Sequence, residues 1–447
     1  MTITERHSDY DAFQPLWQRV RDALAGGDAV KARATAYLPR PEGQDAAAYG
    51  AYKARARWVD VPERTRRGLL GAVFRREPDI AGPARLLAGL DGLTTSGLPF
   101  RVFVRQAAGE VLALGRYGVL VDMPGDRPAG ALPLWAGYAA ERIEDWDRAR
   151  VDGRFITARV KLAESDTTAS EAETQVRELL LVDGLYEVRI WRTGGARDGK
   201  WRIAEVHRPT RGGRRLDVIP FVFLGVDDLD PDVEKPPLLG LVDETIGHYQ
   251  LSADYRQSLF LTAQPTPWLT GFAEEEMPSR IGSGALWASA NPEARVGMLE
   301  FQGAGIEAIR QAMLDSEARM VLLGARFFER QKRAAETAEA TRLRFSADGA
   351  TLTTIAQTLG DGLAKALRWT AEWAGLDASG VSLALNKDFL PEALSADDLR
   401  ARLQLWQSGA IAFDDLVAEL KRGEVVDADR SAEAIRAERE GVSATPQ

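Results

Sequence analysis

The stretch "PPLLGLVDETIGHYQLSADYRQSLFLT", residues 236–262, decides how the chain is read. Leu238, Val242, Ile246 and Tyr249 recur at fourfold and threefold spacing, which predicts one helix with an apolar face. At ~1.5 Å per residue this helix is about 40 Å long, more than a small globular core needs. Three short apolar segments follow, "TPWLTG", "ALWASA" and "VGMLEF", and read as strands. A second long helix starts near Gly305. Its Ile306, Ile309, Met313, Met320 and Leu323 alternate by three and four, a heptad-like seam broken only by Ser316. Two long helices joined by a small β unit make an arm with a tip. The arm cannot bury both helical faces within one subunit, so it needs neighbours, as in a ring. The tip strands are too few for a core of their own, and strands of an adjacent subunit are expected to complete them.

Working outward, the N-terminal side reads first as helices. "QPLWQRVRDALAG" puts Leu16, Val20 and Leu24 on one stripe, and "DAAAYGAYKARARWV" and "VPERTRRGLLGAVFRREP" follow, the latter with Pro62 near its start. "LPFRVFVRQAAGEVLALGRYG" is a further amphipathic helix ending near Gly115 or Gly118. The pattern then changes to short apolar runs bounded by turn residues: "GVLVDMP", "RFITARVKL", "VRELLLV", "LYEVRIWR", "KWRIAEVHR" and "VIPFVFLGV". These predict one antiparallel sheet over residues 117 to 226, with "AESDTTASEAETQ" as an exposed loop. The fold class is α+β.

On the C-terminal side lies "FFERQKRAAETAEATRLRFSADGATLTTIAQTLGDGLAKALRWTAEWAG", residues 327–375. Its first half is dense in charges of both signs. Its second half carries Leu352, Ile355, Leu359, Leu363 and Leu367 at helical spacing. Ser346 to Gly349 is the expected break between them, since Gly weakens a helix by ~1 kcal/mol relative to Ala. The charged half also suits a solvated helix laced with pairs such as Glu329–Arg333. "VSLALN" reads as a strand, and the last segments as short acidic helices before the polar tail "EGVSATPQ".

Composition bounds the function. The chain has 447 residues, 45% hydrophobic and 28% charged, with a formal net charge of −9. A balance of this sign does not attract nucleic acid or an anionic membrane as a whole. There are no cysteines, which removes disulfides, thiolate metal sites and cysteine nucleophiles. The start, "MTITERHSDYDAFQPLWQRV", shows no apolar core of a signal peptide, and no window reaches the ~18 to 20 apolar residues of a membrane span. The three histidines, His7, His207 and His248, stand in unrelated contexts without metal-ligand spacing. "RIGSGALW" resembles a nucleophile elbow only superficially. "GGARDGKW" has the glycine and lysine spacing of a phosphate loop at Gly194, Gly199 and Lys200. However, Trp201 stands where a hydroxyl is needed, and the segment joins two strands instead of opening a helix. No catalytic, cofactor or metal residues are therefore expected, and the chain is not read as an enzyme.

The order of parts resembles that of the portal proteins of tailed bacteriophages, in their siphovirus-type form. So do "VIPFVFLGV" followed by residues 236–262, and later "LLGARFFERQKRAAETAEATRLRFSADGATLTTIAQTLGDGLAKALRWTAEW". The likeness runs from about Trp17 to Gly375 and is weakest in the C-terminal tail. It implies a homo-oligomeric ring, usually of twelve subunits, at one capsid vertex of the virion, assembled in the host cytoplasm. Residues 1–235 would form most of the wing and 236–263 and 303–325 the two stem helices. Residues 264–302 would be the clip, 326–336 the tunnel loop, 337–389 a kinked helix with more wing, and 390–447 a crown and tail. Expected partners are the terminase large subunit, a head–tail adaptor, the major capsid protein and duplex DNA, held weakly and without sequence preference. The resemblance places Arg326, Arg330, Lys332 and Arg333 at the DNA channel and Ile306, Ile309, Met313 and Met320 in stem packing. Another head–tail connector protein, or an enzyme with an unrecognised site, are the alternatives.

Overall fold

The computed structural model describes residues 3–123, 125, 130–166, 173–193, 200–262, 266–278, 287–299, 303–324, 338–387, 389, 396–422, 425–426 and 430–443. The fold is α+β. Six helices open it: α1 (Ser8–Ala25), α2 (Gly27–Ala32), α3 (Ala46–Arg55), α4 (Val61–Val73), α5 (Ala84–Ala88) and α6 (Phe100–Leu114). A short strand β1 (Asp79–Ala81) lies between α4 and α5. Pro62 stands in the first turn of α4, where its missing N–H costs nothing. Gly115 closes α6 in the left-handed conformation that glycine takes without penalty.

The expected single sheet is two. Strand β2 (Arg116–Asp122) pairs with β3 (Leu134–Ala139) on one side. On the other it pairs with β11 (Phe221–Gly225), which arrives from far along the chain. Strands β4 (Ile143–Val151), β5 (Arg154–Asp166), β6 (Glu173–Val182), β7 (Leu185–Thr193) and β8 (Trp201–His207) form a separate antiparallel sheet in sequence order. The minor pair β9 (Thr210–Arg211) and β10 (Arg214–Arg215) follows it. β5 and β6 reach well into the segment read as an exposed loop. β7 and β8 pair Thr193 with Trp201, so the phosphate-loop lookalike joins two antiparallel strands; its residues 194–199 lie outside the described residues.

The three-stranded sheet divides the body. Tyr117, Val119 and Val121 with Val222 and Leu224 face one core, shared with α6 and a long C-terminal helix. Leu120, Phe221 and Phe223 face the other, shared with α1 and the five-stranded sheet. Burial on both faces explains why β2 and β11 read as continuous apolar runs.

After β11 come α7 (Leu239–Thr262), β12 (Thr266–Thr270), β13 (Arg295–Leu299) and α8 (Ala304–Leu322). Trp287–Ala290, within the expected middle strand "ALWASA", is not a strand. Helix α9 (Ala338–Trp373) follows and runs through Ser346–Gly349 without the expected break. Gly349 costs only ~1 kcal/mol there, which the packing of the rest of the helix outweighs. Leu352, Ile355, Leu359, Leu363 and Leu367 are all buried, as their spacing predicts. Strand β14 (Ser382–Ala384) then pairs with β1, and α10 (Ala396–Gln407), α11 (Phe413–Arg422) and α12 (Ala432–Ser443) end the fold.

Candidate functional site: the two-helix arm

The foot of α7 is fixed to the N-terminal helices. Leu239, Val242, Tyr249 and Ala253 are buried, and Tyr249 meets Trp58 edge to face at 6.1 Å between centroids. Ser252 Oγ accepts from the Arg57 backbone N–H at 2.9 Å, and Tyr52 Oη donates to Asp254 at 2.6 Å. Arg19 pairs with Asp243 at 2.8 Å. Beyond Asp254 these ties thin out, and Leu259, Phe260 and Leu261 are exposed.

α8 packs antiparallel on α7. Ser316 Oγ donates to Glu244 Oε1 at 2.5 Å, Arg319 pairs with the same carboxylate at 2.9 Å, and His248 Nε2 lies 3.3 Å from Glu317. Arg319 holds the Glu244 carboxyl below its ordinary range, against the opposing effect of burial. Met320 is buried with Leu238 and Leu241. Ile306, Ile309 and Met313 are half-buried along the same side of α8. The four seam residues therefore share one side, and Ser316 is no interruption of it. A small hydroxyl there admits a polar clamp between the helices, which a hydropathy pattern cannot reveal.

At the tip, β12 and β13 form a two-stranded sheet with Trp268 opposite Gly297. A Cβ at Gly297 would stand 2.6 Å from Trp268 Cε2, so the indole lies over a position only glycine leaves open. Glu276 closes the turn before β13. It accepts from the Ala290 N–H at 2.9 Å, Ser289 Oγ at 2.5 Å and the Ala273 N–H at 3.2 Å, and these bonds hold its carboxyl below the usual range. Trp268, Met277, Val296 and Met298 are exposed.

The channel candidates Arg326, Arg330, Lys332 and Arg333 lie outside the described residues. The histidines are apart. His7 caps α1 and stacks on Trp146 at 4.1 Å, His207 lies 3.0 Å from Glu205, and His248 sits in the arm. Among the described residues, no cluster of three or more His, Asp and Glu side chains is arranged to hold a metal ion. Among them too, no helix is long and apolar enough to cross a membrane.

Two features escaped the sequence reading. Arg116, at the start of β2, is almost fully buried between the Trp146 and Phe223 rings, 3.8 and 4.9 Å from their centroids. None of its three guanidinium nitrogens has a hydrogen-bond partner, and burial pulls its pKa down to about 9. The second is a cleft of about 690 Å³ on the flank of the arm, where Arg55, Arg57 and Arg256 gather around Phe260. Only tertiary structure brings these residues of α3, the segment after it and α7 together.

No curated protein matches the chain. It is similar to a solved chain of the "Virion of native gene transfer agent (GTA) particle", at 13% identity and a TM-score of 0.45, over 88% of this chain and 98% of that one. It is also similar to a chain of the "Neck of empty GTA particle computed with C6 symmetry", at 14% identity and a TM-score of 0.43, over 79% and 86%. TM-scores and identities of this size assign no function. Residues 237–374, which run from the start of α7 to the end of α9 and so take in the arm, its tip and the long helix, match a family model described as "Domain of unknown function (DUF4055)".

Proposed function

We propose that the chain is a portal subunit of a tailed phage or phage-like particle. It forms a ring at one capsid vertex, through which duplex DNA enters and leaves, and serves as the docking site for the packaging motor and a head–tail adaptor. The observation that carries this reading is the arm. An antiparallel helix pair, clamped at its foot through Glu244, Ser316 and Arg319, ends in a two-stranded tip that leaves large apolar side chains in solvent. A two-stranded sheet is marginal by itself, and exposed apolar area on this scale calls for a partner surface. The order of body, helix, β tip, helix and long crossing helix is the order that the sequence resemblance implies. α9, buried along its second half against the central sheet, would link the channel segment before it to the body.

In this reading the chain hydrolyses no nucleotide, since the motor is a separate protein. DNA contacts are weak, independent of sequence and lost as salt rises. Electron microscopy of the purified full chain tests the proposal. Rings with a central hole are expected; compact monomers at all concentrations would overturn it.

A further inference from the structure

We propose that the arginine cleft on the flank of the arm receives the acidic turn Glu274–Glu276 from the tip of a second copy of this chain. The inference rests on the ring reading and names the contact that would hold neighbouring arms in register.

The cleft is built, not incidental. The Arg57 backbone is fixed to α7 by two hydrogen bonds with Ser252 Oγ, at 2.9 and 3.0 Å. Arg55 donates to Gln257 Oε1 at 2.9 Å and lies over the Phe260 ring, 3.7 Å from its centroid. Arg256 stands one turn before Phe260 on the same side of α7. No carboxylate lines the cleft. Asp254, the nearest acid along α7, is engaged by Tyr52. Among the described residues, the side chains of Arg57 and Arg256 have neither a hydrogen bond nor an ion pair. Four other arginines on the arm and its foot are neutralised within the chain: Arg19 by Asp243, Arg66 by Glu63, Arg310 by Glu307 and Arg319 by Glu244. Three arginines gathered without a counter-charge, in a chain of net charge −9, make a local patch of positive charge that an acidic partner fits.

The tip offers the complement. Glu274 and Glu275 are exposed and make no side-chain hydrogen bond or ion pair among the described residues. Glu276 shapes their turn through its three accepted bonds, and Met277 is exposed beside them. Two acids next to an apolar side chain match three arginines next to Leu259 and Phe260. Cyclic symmetry adds a constraint. In a ring, one flank of each arm meets the other flank of the next, so both patches must lie at a similar level. Phe260 is two residues from the end of α7, while Glu274 follows the five residues of β12, so the contact needs arms inclined to the ring axis, which brings the tip of one towards the cleft of the next. A nucleic-acid backbone fits less well, because Glu274 and Glu275 at this end of the arm would repel it.

The test uses the full chain, with size-exclusion light scattering and electron microscopy at matched concentration. Arg57→Glu with Arg256→Glu should lower the ring fraction about tenfold, as should Glu274→Arg with Glu275→Arg, because like charges then face each other. All four sites are on the surface, so circular dichroism and thermal melting should match the parent. Combining the two pairs restores the opposite charges and should recover most of the rings. Rings from the arginine variant equal to the parent's would overturn the proposal and leave the ring reading standing. Loss in both pairs without recovery in the combination would overturn the tip as occupant. Normal rings that lose binding to a 30-base-pair duplex would assign the cleft to nucleic acid instead. A parent that never assembles would sink the ring reading itself, and this proposal with it.

Discussion

At the scale of the residue, Arg116 sets the sharpest test. Its charge is buried between two rings without a hydrogen bond. Two cation–π contacts return ~0.5 to 2 kcal/mol each, while a buried ion lacking a partner costs several kcal/mol. The cost wins, so Arg116→Met, which keeps the length and removes the charge, should raise stability by about 1 to 3 kcal/mol in urea unfolding at pH 7. The sign of its pH dependence follows from the pKa. Burial pulls the folded value down to about 9, well below that of a free arginine, so between the two the unfolded chain binds the extra proton. Parent stability therefore rises with pH in that window, and the advantage of Arg116→Met should shrink above about pH 9. A variant less stable than the parent would mean that Arg116 is held by something more than the two rings. Nothing in the sequence marks this residue. An arginine that opens a strand reads as exposed, and only tertiary structure, with β11 paired to β2 and β4 packed beside them, places Phe223 and Trp146 around it.

At the scale of the element, glycines in two long helices make opposite predictions. Gly247 in α7 has open space where a Cβ would go, so Gly247→Ala should stabilise by about 0.5 to 1 kcal/mol through helix propensity alone. Gly362 in α9 lies against β11, and a Cβ there would collide with Leu224 and stand 2.9 Å from Leu229 Cδ2. Gly362→Ala should destabilise by about 1 to 2 kcal/mol despite the same propensity gain. Equal shifts for both would deny that α9 packs so closely on the sheet. The clamp between α7 and α8 has its own signature. Arg319 depresses the folded Glu244 pKa, so its contribution is present above the ordinary value of 4.5 and is lost as pH falls through the lower folded value. Both side chains are partly exposed, so the contribution is under about 1 kcal/mol. Glu244→Gln should melt slightly below the parent at pH 7, and the gap should close towards pH 3. These elements were legible in unequal measure. The long helices could be read because their apolar residues recur over many turns, and the buried half of α9 is where its leucines put it. Strands β3 and β4 could not, since "LWAGYA" is short and carries a glycine and two alanines, and "IEDWDRARV" mixes apolar residues with charges. The separation into two sheets was hidden as well, because it depends on Phe221 pairing with Leu120, about a hundred residues earlier. Lys161, Asp145 and Glu178 are buried in the five-stranded sheet as cross-strand charge partners, where a hydropathy reading expects solvent.

At the scale of the whole molecule, apolar exposure is uneven. Phe260, Leu261, Trp268, Met277, Leu322 and Leu323 are each 49% exposed or more, except Trp268 at 43%, and all belong to the arm or its tip. The body closes two cores around the central sheet, although Phe155 on its five-stranded sheet is also exposed. The exposed residues of the arm sit on two helices and a two-stranded tip with little core of their own, so association should change the arm and leave the two cores of the body as they are. Hydrogen exchange on assembled and dissociated chain tests this directly. Backbone amides in the distal half of α7, in β12 and β13, and in the exposed side of α8 should slow by about tenfold or more on assembly, because a partner suppresses the local opening that an isolated arm permits. Amides of β2, β11 and the buried half of α9 should exchange at the same rate in both states, since their protection already comes from the body's own cores. Light scattering on the same samples fixes which state is measured. Slowing confined to the five-stranded sheet, with the arm unchanged, would place the subunit contact on the body and remove the arm as the basis of the ring. Slowing spread evenly over both would instead mean that the chain folds fully only on assembly, and the two closed cores described for the single subunit would not be stable without neighbours.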